Sequence, residues 1–281
     1  MPKASVIFFL LFVLGLTAVP SAHTAGLTIG SGCQVGLNDG TLNVSGGVAI
    51  TGSLAVGSGS IALSGNWVQN GSFTPGTGTV TFNGTAAQTL SGSTTCYNLT
   101  ISTGANLELA GNIAVSGNWI NNGTLTPGTH MVTLSGDNQS ISGTTTFYDL
   151  TKIVSSADTL TFSSGKRTTI KNTLNLQGAS EGLLSLKSDS AAQWEINPQG
   201  TRTIQYLNVQ GSNNVNATDI DARGRNCTNS ESNINTKWIF DGAPTVTTQA
   251  ATGFGTNSAT GNGNITDLGN PNPTAHGVCW N

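Results

Sequence analysis

A stretch of 14 residues, Ser64-Gly-Asn-Trp67-Val-Gln-Asn-Gly71-Ser-Phe-Thr-Pro75-Gly-Thr77, returns 52 residues later as Ser116-Gly-Asn-Trp119-Ile-Asn-Asn-Gly123-Thr-Leu-Thr-Pro127-Gly-Thr129. After a one-residue slip the match resumes, with Gln88 through Leu99 answered by Gln139 through Leu150. A decayed third copy follows, in which Leu160-Thr-Phe162 answers Leu107-Glu-Leu109 and Leu174-Asn-Leu176 answers Ile113-Ala-Val115. Repetition at this scale restricts the chain to stacked units, each closing the apolar face of the last.

Inside each copy the apolar period is two. Val80-Thr-Phe82, Leu99-Thr-Ile101, Ile113-Ala-Val115 and Leu184-Ser-Leu186 each place two apolar side chains on one face. Turns such as Asn70-Gly71, Thr74-Pro75-Gly76 and Ser91-Gly92 separate these runs, and no window holds a helical period. An antiparallel sandwich would need longer strands and two-residue hairpins. Runs of three to five residues between Gly, Asn and Ser corners predict an all-β chain, a parallel β-solenoid (β-helix) over residues 26–240. Two coils per 52-residue copy would give about seven coils over residues 27–210. Asn and Thr at matching places in successive coils would form hydrogen-bonded ladders.

Charge is scarce. Only 8% of the 281 residues are charged, 13 acids against 10 bases, and none from residue 4 to residue 151 is Lys or Arg. That half cannot neutralise a row of phosphates, which argues against nucleic acid and against anionic lipid as partners. Lys3, the apolar run Val6–Leu14 and the small residues Ala18–Ala25 read as a cleaved export signal, residues 1–25, leaving a chain with no membrane insertion of its own. Cys33, Cys96, Cys227 and Cys279 are too widely spaced for a metal site or a dense disulfide framework. Cys96, where the second copy has Phe147, reads as a small buried hydrophobe; the disulfide state of the four stays open.

The runs SGNWxxNGxxTPGTxxVT and QxxSGxTTxYxLT resemble the β-strand repeats of bacterial secreted and cell-surface proteins, including large adhesin-like ones. Residues 193–240 resemble the segment that closes such regions. Residues 241–281 read as a linker and a partial module, with Thr245–Gln249, Ser258–Asn264 and His276–Trp280 as three strands. They resemble the opening of a fibronectin-III or immunoglobulin-like sandwich, which needs about seven strands. The expectation is therefore a natural chain that continues beyond Asn281. The resemblance carries no catalytic residues.

The search for chemistry returns little. Residues 27–150 offer only Asp39, Glu108, Asp137 and Asp149 as acids, with Glu108 facing outward, so paired carboxylates for glycoside hydrolysis are not apparent. Asp219 and Asp221 with Arg223 and Arg225 are the one gathering of charge. It reads as a polar turn, with a calcium site as the alternative. Gly178-Ala-Ser180-Glu-Gly182 matches a nucleophile elbow, but the strand-like Leu183–Leu186 follows where a helix is required. His130 sits beside a Pro-Gly turn, and His276 is the other histidine beyond the signal. Thr77-Gly-Thr79-Val-Thr81 suggests an ice-type threonine row, yet the second copy reads Thr129-His130-Met131-Val132-Thr133 and breaks it. Trp67 and Trp119, at identical repeat positions, are candidates for glycan stacking or for packing.

These readings predict a non-enzymatic extracellular or cell-surface protein, structural or adhesive. It would need no cofactor, would meet glycans or other surface proteins, and would act as a monomer or as part of a longer chain. The alternative is a carbohydrate-binding or carbohydrate-active β-helix protein.

Overall fold

The computed structural model describes residues 26–230, 235–242 and 245–267. The expected export signal, Cys279, His276 and the third strand expected after the linker lie outside the described residues. The chain divides into two compact units, Met1–Leu150 and Thr151–Asn281. Among the described residues there is no helix, and the parallel strands stack as a β-solenoid with about 11 turns in all.

In the first unit the chain passes three faces in rotation. The first face stacks Leu27–Ile29, Val48–Ile50, Trp67–Gln69, Ala87–Ser91, Asn106–Leu109 and Thr124–Thr126. The second holds one ladder of Gln34–Gly36, Ser53–Ala55 and Ser72–Thr74, then another of Thr94–Cys96, Ile113–Val115 and Met131–Leu134. The third stacks Thr41–Val44, Ser60–Leu63, Thr79–Phe82, Asn98–Ile101, Trp119–Asn121 and Gln139–Ser142. Every pairing is parallel, and matched residues are separated by 21 at Leu27 and Val48 and by 19 at Ser60 and Thr79. The alternation drives this. Ile61, Leu63, Val80 and Phe82 point inward at 2% exposure or less, while Ser60, Ala62, Thr79 and Thr81 point outward. Each buried aliphatic or aromatic side chain contributes about 1.5–3 kcal/mol.

The turn length corrects the sequence-based count of seven coils. A turn takes 18–23 residues here and three strands, so a 52-residue copy of eight strands spans two and two-thirds turns rather than two. Trp67–Gln69 and Trp119–Asn121 are eight strands apart in chain order, which is not a multiple of three. Trp67 therefore lies on the first face, paired with Val48 and Leu90, and Trp119 on the third, paired with Leu99 and Ile141. Similarity along the chain reports the duplicated segment, not the pitch of the coil.

Corners depend on glycine where turns stack most closely. Gly57 and Gly76 occupy one corner in successive turns at φ +66° and +58°, and a Cβ on Gly76 would run into the carbonyl of Gly57. That carbonyl accepts the Thr77 N–H at 2.7 Å, so the close approach is also a hydrogen-bonded one.

In the second unit the turns lengthen, with matched residues 26 apart at Asp158 and Leu184 and 28 apart at Arg167 and Glu195. Strand Arg167–Gln177 pairs twice: its first half with Trp194–Pro198 and its second with Thr201–Gln205. Leu160, Phe162, Leu174 and Leu176, the expected third copy, are all buried. Phe162 stacks on Trp194 with ring centroids 3.9 Å apart and planes 4° from parallel. Beyond the coils, Thr245–Thr252 pairs antiparallel with Thr260–Asp267. These are two of the three strands expected after the linker, and every residue of the first is exposed.

Candidate functional site

The two tryptophans proposed for glycan stacking are both 0% exposed. Neither presents a ring face to a sugar, and they belong to different faces, so the stacking ladder is replaced by packing. Trp67 meets Phe73 edge-on at 4.8 Å, and Trp119 meets Phe147 edge-on at 5.1 Å. The ring partner comes from different places in the two copies. Phe73 answers Leu125, and Cys96 answers Phe147. Cys96 is 1% exposed, and burial pushes its thiol up to about 12, which leaves it inert as a nucleophile. Cys33, Cys96 and Cys227 are free thiols.

Two buried glutamines were not singled out from the sequence. Gln88, 0% exposed, accepts from the Gly84 N–H and donates to the carbonyls of Leu63 and Gly65. Gln139, 1% exposed, accepts from Gly136 N–H and donates to Val115 and Gly117. The same corner is thus built on the first face and again on the third. The available signal was an unchanged amide in both copies at a position inside an apolar alternation.

The charged turn satisfies itself. Arg223 grips Asp221 through Nε to Oδ1 and Nη2 to Oδ2, both at 2.9 Å, and these bonds hold the carboxyl down to about 2. The backbone carbonyl of Asp219 accepts Arg202 Nη1 at 2.7 Å, and the Asp241 carboxylate accepts the Gly224 N–H at 2.9 Å. Arg225 contributes its carbonyl to Tyr206 N–H. Among the described residues no three His, Cys, Asp or Glu side chains are grouped to hold a metal.

The remaining expectations fall into place individually. Ala179 and Gly182 exchange backbone hydrogen bonds at 2.9 and 3.0 Å around Ser180, and strand Leu184–Ser188 follows, so the elbow motif is a tight turn between strands. Glu108 is exposed, with Thr89 and Thr126 as its register neighbours. His130 caps the Pro127 turn through its N–H at 3.1 Å. An open depression in the second unit is lined by Thr161, Lys187, Ser188, Asp189 and Gln210. There the Ser164 N–H holds the Asp189 carboxyl below its usual range.

The outside of the third face of the first unit is a regular surface of six stacked strands. Thr41, Ser60, Thr79 and Asn98 form one row and Asn43, Ala62, Thr81 and Thr100 the next. Ser60 donates to Thr41 at 3.1 Å and Asn98 to Thr79 at 3.3 Å, the expected ladders between turns. Steps of about 4.8 Å separate the turns. The register also revises the threonine comparison, because Met131–Leu134 lies on the second face and is no neighbour of Thr79–Phe82. The true neighbours are Ser60 with Ala62 and Asn98 with Thr100, so paired threonines are one turn deep. These two rows carry uncharged donors and acceptors, with no ionisable side chain among them.

The geometry defines a parallel β-solenoid with short polar ladders. No protein-family model, no curated protein and no solved structure matches the chain.

Proposed function

We propose that this chain is a non-enzymatic, exported repeat protein that serves a bacterial cell surface, or the space around it, as a stalk or adhesive element. The observation that carries the reading is the outer third face of the first unit, where small uncharged side chains bond to one another from turn to turn. The charges that do gather, at Asp221 and Arg223, are spent on each other at an exposed turn. The antiparallel pair Thr245–Thr252 and Thr260–Asp267 supports reading residues 243–281 as the opening of a fibronectin-III-like module. Export is tested by sequencing the N-terminus of the secreted chain, which should start near Ala22 to Ala25. Turnover on a panel of polysaccharides, lost in Asp219→Asn or Asp221→Asn, would sink the non-enzymatic reading.

The outward hydroxyl and amide rows favour one second reading, a glycan-binding module. On a glycan array, retention that falls when Thr79→Lys and Thr81→Lys are introduced supports it. Retention that is absent in the unmodified chain favours the stalk.

A further inference from the structure

Among the described residues of the first unit, three buried side-chain polar atoms have no hydrogen-bond partner: Trp67 Nε1, Gln69 Oε1 and Thr94 Oγ1. They are not scattered. Their counterparts in the second copy are Trp119, Asn121 and Thr145, and there the same three side chains are bonded directly. The Thr145 hydroxyl accepts Trp119 Nε1 at 3.2 Å and Asn121 Nδ2 at 3.2 Å. Two replacements separate the corners. Gln69 is one methylene longer than Asn121 and sends its amide nitrogen to the Gly71 carbonyl at 3.4 Å, leaving Oε1 turned inward. Cys96 replaces Phe147 two residues beyond the threonine, on the same inward side of the strand, and removes the bulk of a ring.

We propose that this corner of the first copy is a binding site for a single internal water, held by Trp67, Gln69 and Thr94. The inventory fits one molecule. Trp67 supplies a donor, Gln69 Oε1 an acceptor, and the Thr94 hydroxyl turns to serve as either. Three bonds is the usual number for a buried water, and polar groups that lie beyond direct reach of one another are commonly bridged in this way. Each of the three atoms otherwise bears a desolvation penalty. The duplicated segment thus keeps one corner dry, with threonine at its centre, and one wet.

A crystal structure at high resolution should show an ordered solvent peak about 2.7–3.2 Å from all three atoms, with none between Trp119 and Thr145. Water-17O relaxation dispersion of the full chain should lose one long-lived water in Thr94→Val and none in Thr145→Val. Gln69→Leu gives the same reading at a less buried position if Thr94→Val fails to fold. Direct bonding of Trp67 Nε1 to Thr94 Oγ1 in the crystal, or dispersion unchanged by Thr94→Val or Gln69→Leu, would overturn the proposal.

Discussion

Lys152 and Asp158 meet at 2.6 Å in the second unit with side chains 0% and 2% exposed. The Asp158 carboxylate also accepts the Thr159 N–H at 2.6 Å. Two charges withdrawn from water are tolerated only as a pair, and removing one strands the other. Lys152→Met should cost about 3–5 kcal/mol, read from the denaturant midpoint, and adding Asp158→Leu should recover most of that loss. An unchanged midpoint in Lys152→Met would show that the pair is hydrated. At Cys96 the expectation is kinetic. Burial keeps the thiol protonated at pH 8, so iodoacetamide should modify the half-buried Cys33 in the folded chain and reach Cys96 only after unfolding, as peptide mass mapping would record. The inertness of Cys96 was legible because Phe147 fills the matching position. Lys152 was not, since nothing in a local pattern announces that an inward lysine will find its aspartate six residues on, around a corner.

Strands and corners were unequally legible. Alternation at Val80-Thr-Phe82 or Leu99-Thr-Ile101 states which side chains point inward, and both pairs are buried as read. Pitch was hidden, because identical residues at Trp67 and Trp119 invite stacking one above the other, whereas strand count sends them to different faces. The threonine comparison failed for the same reason. The buried glutamines escaped notice because a polar residue between Ala87 and Thr89 looks like an outward position until its three backbone partners are seen. Those partners make a prediction. Gln88→Leu takes the partner from the Gly84 N–H and the Gly65 carbonyl, while the Leu63 carbonyl keeps the Asn83 N–H, and should cost about 1–3 kcal/mol. Gln139→Leu should cost a similar amount, both read from urea unfolding midpoints, since it holds equivalent atoms. A large loss in one and none in the other would mean that the corners are not equivalent.

The first unit as a whole sets a rule for editing its length. Excising residues 64–115 joins Leu63 to Ser116 and removes 52 residues, or eight strands. Trp119 then takes the place of Trp67 opposite Val48, followed by strands of the same kind, and the shortened chain should remain soluble with a cooperative thermal transition. Excising residues 64–89 removes half as much but joins Leu63 of the third face directly to Leu90 of the first, with no corner residues between them, and that chain should aggregate. If the shorter deletion melts cooperatively and the longer one does not, pairing depends on something other than the copied strand order.

A spiral staircase whose carpet pattern repeats every two and two-thirds turns shows a visitor the same motif at a new compass bearing on each encounter. Residues carried by the duplicated segment behave in this way. Three identical copies, 156 residues in 24 strands, would have to pass before a motif returned to its first bearing. Lengthening by whole copies therefore broadcasts one patch in three directions instead of ruling it into a single stripe. An extended chain of this kind would be open to grasp from any side, and it would expose no long uniform seam for neighbouring molecules to zip along.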